Sequence, residues 1–408
     1  MVLQFKNAWI CQATENAVQP VFGDLTVSDG RIADITVNPK GAPDTKIAEG
    51  WDVIDLKGRM VTIPNVNFHE HIYSRLAKGL PISGPMGNFV QILENLWWKL
   101  DRYLDEEMIA ASARMAIRES LRNGVTYLFD HHASPGAVTG SLKIIADEMK
   151  KAGLRAALCF EVSDRNGDDI ARASVRENIQ FISEQTDQDI KGMMGLHALF
   201  TLSDETLQAI GESLPDLNTG IHVHVAEDKA DVDVNREKYG LAIAERLQKF
   251  GLLNERSILV HGVHLGERDY RVITEAGAAL AYNPDSNLNN AVGLPDYKSV
   301  PQTIPVLAGT DGMHANVARS LKQLFLLRRH QQNSFDDAFG WIIKIFFDQI
   351  RFVRRYFPDY PLLQKGERAD FVVWDYQPPT PLNADNFWGH YIYGTLEAPV
   401  FSLVQNGH

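Results

Sequence analysis

Between residues 61 and 311 short apolar runs recur, each followed by a stretch with helical spacing. The runs are VTIPNVNF (61–68), VTYLFD (125–130), RAALCFEV (155–162), GMMGLHAL (192–199), GIHVHVAE (220–227), SILVHGV (257–263), AALAYN (278–283) and IPVLAGTD (304–311). They are continuous rather than alternating, as strands buried on both faces are. The segment 105–124 shows what fills the intervals. Asp105 can cap a helix there, acidic residues occupy its first turn, and Ile109, Ala113, Ile117 and Leu121 keep one apolar side. Asn123-Gly124 can end it. Eight strands alternating with helices predict an α/β fold, a distorted (β/α)8 TIM barrel, over residues 59–364.

The two ends read differently. FGDLTVSDGRIADITV has Asp29-Gly30 between two apolar stretches, the pattern of a β-hairpin, and VIDLKG follows at 53–58. Near the other end ADFVVWDY (369–376) is again strand-like. Neither end can bury a sheet by itself, so residues 1–58 and 365–408 are expected to join in one small β-sandwich domain.

Composition narrows the classes. The chain has 408 residues, 45% of them apolar, enough for a barrel and a companion domain. Its formal net charge of −12 argues against a nucleic-acid partner. Two distant cysteines, Cys11 and Cys159, exclude a disulfide scaffold and a cysteine-rich zinc site. The start lacks the apolar core of a signal peptide and no run reaches the length of a membrane span, so a cytoplasmic protein without membrane partners is expected.

In such barrels the chemistry lies at the C-terminal ends of the strands. Ten of the 13 histidines fall between His69 and His314, and nearly all of them close one of the eight runs. His69 and His71 end the first run at a spacing that puts both on one face of a strand. Two imidazoles entering a barrel mouth together suit zinc or iron(II), although a polar pair on a loop looks the same in isolation. His222 and His224 repeat the spacing, and Glu227 follows. His224, nearer the strand end, is the better ligand; His222 fits a buried hydrogen-bonded histidine or a group that orients a ligand. Glu227 can reach substrate, or serve only as a carboxylate at a helix entry. Asp311 follows the eighth run and faces the mouth, or caps a turn before Gly312. His131, His132, Glu161, Asn283, Asn287 and the loop 80–100 with Trp97 and Trp98 are expected to shape a pocket. The two tryptophans equally suit a core or an interface. Adjacent His131 and His132 point to opposite sides if the strand continues.

Taken together, HxH at 69–71, HVAE at 224–227, LVHGVHL at 259–265, NPDSN at 283–287 and GTD at 309–311 resemble the amidohydrolase superfamily, in its cytosine-deaminase-like and chlorohydrolase-like branch. FDHHASP (129–135), GLHALFTLSDETL (195–207) and HIYSRLAKG (71–79) are similar to SsnA-type aminohydrolases. The resemblance spans essentially the whole chain. It implies one divalent metal, zinc first and iron(II) second, held by His69, His71, His224 and Asp311. Asp311 would also act as base, His261 would contact the attacked group, Glu227 would shuttle a proton, and His197 would contact substrate; that His131, His132 and Asn283 also touch it is the expectation from their strand-end positions. It further implies a small heterocyclic substrate and a homodimer or larger homo-oligomer.

The pattern departs from the family in places. Pro64-Asn65 replaces the usual Pro-Gly, and Glu70 stands between the two histidines. The fourth run carries His197 where binuclear relatives carry a metal-bridging lysine, which favours one metal. The chain stops at VQNGH where relatives continue with a strand, which leaves a truncated C-terminus open. The implied activity is hydrolysis of C–N bonds other than peptide bonds, with deamination of a purine-, pterin- or pyrimidine-like ring placed first. Opening of a cyclic amide or ureide comes second, and a catalytically inactive barrel scaffold is the remote third.

Overall fold

The computed structural model describes residues 2–38 and 50–408. The chain forms two compact units, one made of Met1–Val66, Glu119–Tyr127 and Asn316–His408, the other of Asn67–Arg118 and Leu128–Ala315.

In the first unit, strands from both chain ends share one seven-stranded sheet. Its order is Val400–Val404, Phe371–Trp374, Met60–Thr62, Val2–Ala13, Val18–Ser28 and Arg31–Val37, with Asp52–Asp55 also paired to Val2–Ala13. The hairpin expected at Asp29-Gly30 is present. Ser28 pairs with Arg31, and both turn residues have positive φ, 52° and 73°, the mirror-image turn that matches strand twist. The helix Phe335–Val353 is capped by Ser334, whose hydroxyl accepts from the Asp337 amide, and buries Trp341, Ile342, Ile345 and Phe346.

The strands that carry the histidines fall in two further sheets. One contains Asn65–Glu70, Val125–His132, Arg155–Phe160 and Ile190–Gly192; the other contains Met194–Leu196, Ile221–Val225, Ile258–His261, Ala279–Tyr282 and Val306–Ala308. The pairings from Met194 to Ala308 are all parallel. Most of these strands are buried at every residue, which is why they read as unbroken apolar runs. Isolated parallel bridges link Glu70 with Asp311 and Val162 with Leu196.

The run 192–199 differs from its expected single strand. It is split between Ile190–Gly192 and Met194–Leu196, one in each sheet. The Met193 amide donates to Leu158 O and the Met194 amide to Gly220 O, so the segment lies between Arg155–Phe160 and Ile221–Val225, with successive amides facing opposite neighbours as in any inner strand. The strands pack closely here: a Cβ on Gly195 would lie 2.4 Å from Phe160 O. The expected helix over 105–124 forms as Glu106–Arg122, with Asp105 accepting from the Met108 amide at 2.8 Å.

Candidate active site

Seven of the histidines that close the strands, His69, His71, His131, His197, His222, His224 and His261, meet with Asp311 and Glu227. His69 and His71 leave the same face of their strand, as the i, i+2 spacing requires. Each is then fixed through its second ring nitrogen. His71 Nδ1 donates to the His131 carbonyl at 2.6 Å, which turns Nε2 toward His224 Nε2 at 3.2 Å and Asp311 Oδ1 at 3.2 Å. His69 Nδ1 lies 2.9 Å from His222 Nε2, which turns its Nε2 toward Asp311 Oδ1 at 3.5 Å. His222 is thus the orienting partner of a ligand candidate and does not itself face the mouth. That buried His69 Nε2 has no hydrogen-bond partner among the described residues.

Ligand atoms of His69, His71 and Asp311 lie within 4.8 Å of one another, as do those of His71, His131 and His224, and those of His69, His224 and His261. Three imidazoles and a carboxylate form the donor set that zinc or iron(II) takes. The site also wants positive charge. Burial pulls His71 down, but the hydrogen bond and charge of Asp311, with Glu161 and Asp130, push it up to about 9. A proton on His71 occupies the place a cation would take. His69, beside it, is driven down to about 3 by burial, in spite of Asp311. The residues therefore fit a divalent ion.

Two carboxylates at this site are pushed in opposite directions. Burial, and then the charge of Asp311, raises Glu227 well above the usual carboxylate range. Burial also acts to raise Asp311, but His69 and His71 close beside it, with the charge of His71 and His261, hold it well below that range. The first is held toward its protonated form and the second toward its ionised form. His261 stands between them, with Nε2 3.4 Å from Glu227 Oε2 and 4.0 Å from Asp311 Oδ2. Asn287 Nδ2 donates to His261 Nδ1 at 3.0 Å, which leaves the imidazole proton on Nε2, facing the cavity. Ser286 donates a short hydrogen bond to Asp311 Oδ2, and Asn290 donates to Glu227 Oε1 at 3.2 Å. Asp311, His261 and Ala226, the residue before Glu227, all have positive φ (53°, 71° and 48°). Left-handed backbone at three non-glycine residues is strain of the kind that gathers at functional sites.

The cavity in front of this cluster has a volume of about 60 Å³. Phe89, Leu93, Val263 and Val292 form an apolar cluster against which Trp97, Trp98 and Phe200 pack, and several of these side chains wall the cavity. Leu93–Trp97 is a π-helical turn, a form often found beside functional sites. His197 lines the cavity, and its Nδ1 meets Thr201 Oγ1 at 2.9 Å. His131, His132 and Asn283, expected to touch substrate, do not line it. His131 Nε2 is taken by the carbonyls of Leu196 and His222 at 3.0 and 3.2 Å, and His132 Nε2 lies 2.9 Å from Ser134 Oγ. Both are fully buried, as is Asn283. The two histidines do point to different sides, as adjacent strand residues must.

With this geometry in place, residues 60–344 match the Amidohydrolase family. The chain belongs to that family. It is 26% identical over 431 residues to the 5-methylthioadenosine/S-adenosylhomocysteine deaminase of Desulforudis audaxviator, across 100% of this chain and 93% of that protein. Among solved structures it is similar to E. coli guanine deaminase, with a TM-score of 0.80 at 18% identity, across 100% of this chain and 98% of that one. It is also similar to a zinc-bound adenosine deaminase from Xanthomonas campestris, with a TM-score of 0.77 at 20% identity, across 99% and 92% of the two chains. Family and relatives make this amidohydrolase an enzyme that hydrolyses C–N bonds outside peptides.

Several residues at the amidohydrolase site escape the sequence reading. Ser286 and Asn290 lie within and just after the NPDSN motif, one helical turn apart, so a search along that helix would have found both. Asp101 and Arg165 are joined at 2.5 Å across 64 positions of sequence, and no local pattern announces such a pair.

Proposed function

We propose that this amidohydrolase carries one divalent metal ion, zinc first and iron(II) second, and deaminates a nitrogen heterocycle of purine, pterin or pyrimidine type. One observation carries the reading: Glu227 and Asp311 flank His261 at 3.4 and 4.0 Å, directly in front of the His69, His71 and His224 cluster. This spaces a proton donor and a proton acceptor on either side of one reacting carbon.

His69, His71 and His224 would hold the ion, with Asp311 beside it. A bound divalent cation supplies Lewis acidity and lowers the pKa of water to about 7. Asp311, ionised and held by Ser286, takes the proton of the attacking water. The Nε2–H of His261 donates to the oxygen that water adds to the attacked carbon, while the electron pair displaced from the C=N bond gathers on the ring nitrogen and returns as ammonia leaves. Glu227, protonated and steadied by Asn290, gives its proton to the nitrogen that leaves. The apolar wall keeps bulk water from the ring and strengthens each of these contacts.

In this reading the two histidine-bearing sheets make one distorted (β/α)8 barrel, joined at the Glu70–Asp311 and Val162–Leu196 bridges, over residues 59–364. Residues 1–58 and 365–408 then form the small β domain. No helix among the described residues is long and apolar enough to cross a membrane, in keeping with a cytoplasmic enzyme. We infer a homodimer or larger homo-oligomer from the family. Sedimentation at micromolar concentration tests that assembly, and a monomer contradicts it. Ammonia release from a panel of amino-substituted rings tests the chemistry. Deamination gives one ammonia for each molecule consumed, whereas ring opening consumes a cyclic amide and gives none.

A further inference from the structure

The cavity has a second polar end that the deamination chemistry does not use. There Arg165 Nη2 donates to Asp101 Oδ2 at 2.5 Å and to Glu161 Oε1 at 2.9 Å. The guanidinium also packs against the Trp98 ring, 5.2 Å from its centroid. All four side chains line the cavity. The Arg165 side chain is only 9% exposed, yet its Nε and Nη1 have no hydrogen-bond partner among the described residues, and neither has the buried Asp101 Oδ1. Buried donors and acceptors left unpaired are costly, so such a group inside a cavity points to a ligand that pairs them.

The unpaired atoms state what they would accept. Arg165 offers N–H donors and needs an oxygen; Asp101 offers an oxygen and needs an N–H or O–H donor. Two carboxylates flank one guanidinium, so this end carries one negative charge in excess. A phosphate or carboxylate group brought here would meet that excess. Size narrows the class further. One water needs about 10–15 Å³ of such space, so a cavity of about 60 Å³ holds about four to six waters. That is room for one small ring system, and an attached sugar needs the cavity to widen.

We propose that Asp101 and Arg165 read a ring edge in which a carbonyl oxygen sits beside an N–H, so that this enzyme takes a neutral oxo-heterocycle as the free base. The proposal rests on the deaminase reading for the fate of the ring, but not for its binding. Arg165 donates to the ring carbonyl, Asp101 accepts from the neighbouring N–H, and Glu161 holds the guanidinium in place. The amino group to be lost then lies toward Glu227. Nucleosides and nucleotides are refused by size and, for the latter, by charge.

Calorimetric binding to the zinc-loaded enzyme tests this with guanine, cytosine and pterin as rings bearing the edge, adenine as a ring without a carbonyl, and guanosine and its 5′-monophosphate. At least one of the first three should bind tenfold or more tightly than adenine and both guanosine compounds. Arg165→Lys keeps a cation between the two carboxylates but loses the planar fork. It should weaken that binding at least tenfold while leaving adenine binding and zinc content unchanged. Arg165→Gln should do the same; if it fails to fold, Asp101→Asn is the second variant, since it keeps the shape and removes one acceptor. Equal binding of adenine and the oxo rings, tighter binding of the monophosphate, no binding by any ring, or unchanged binding in Arg165→Lys overturns the proposal. A ring that binds as described but releases no ammonia leaves the recognition intact and overturns the deaminase reading instead.

Discussion

Two carboxylates carry the proposed chemistry, and their neighbours separate their roles. Glu227 contacts His261 and Asn290, whereas Asp311 contacts His69, His71 and Ser286. Glu227→Gln should therefore keep metal and fold and lose about two orders of magnitude or more in turnover, the scale of a positioned proton-transfer group. Near-native turnover would reduce Glu227 to a helix-entry carboxylate. Asp311→Asn should cost at least as much and also loosen the metal, which parallel metal analysis and rate measurements on the two variants would separate. Much at this scale is legible in the sequence. The i, i+2 spacing of His69 and His71 alone puts both rings on one face, and the position of His224 at a strand end distinguishes it from His222. The limit of that logic appears at His131 and His132. Strand position says where a side chain starts, but the carbonyls of Leu196 and His222 that capture His131 belong to strands far off in sequence.

Elements deliver these residues by their ends. The loop after Ile221–Val225 passes through Ala226 at positive φ, and the Asp231 carboxylate accepts from the Ala226 amide at 2.8 Å and the Phe200 amide at 3.0 Å. Asp231 thus ties the start of the helix Lys229–Tyr239 to the turn that presents Glu227. Burial pushes Asp231 up to about 6, against the pull of those two amides. A carboxyl with a raised folded pKa binds its proton more tightly when folded. Its contribution is then complete below about pH 4 and is lost as pH rises to about 6, by up to about 3 kcal/mol at about 1.4 kcal/mol per unit. Asp231→Asn lacks that slope. Urea unfolding of both proteins at pH 4 and 7 should show the difference between them moving toward the variant at pH 7; a difference independent of pH contradicts the assignment. The eight apolar runs announce their strands because both faces are buried. The division at Met193 is not announced, because which sheet each half joins depends on partners in other strands.

For the whole molecule the decisive property is that distant parts of the chain meet around one charge. His69 and His71 come from the first of the eight runs, His224 from the fifth and Asp311 from the last, yet their ligand atoms lie a few ångströms apart. In this gathering the buried His69 Nε2 has no hydrogen-bond partner among the described residues. Removing His69 or His224 should therefore abolish metal retention, while unfolding by urea still shows a folded chain. The sequence showed this gathering only through the regular placement of histidines at strand ends. The far end of the cavity, where Asp101 and Arg165 meet, has no such regularity and needed the fold. The most direct test of the account is a titration of metal-depleted enzyme with zinc, following ammonia release from a substrate found in the ring panel. The account predicts no release without metal and a linear rise that levels at about one zinc per chain. Undiminished release from the metal-free protein, or a plateau only at two ions per chain, would contradict it.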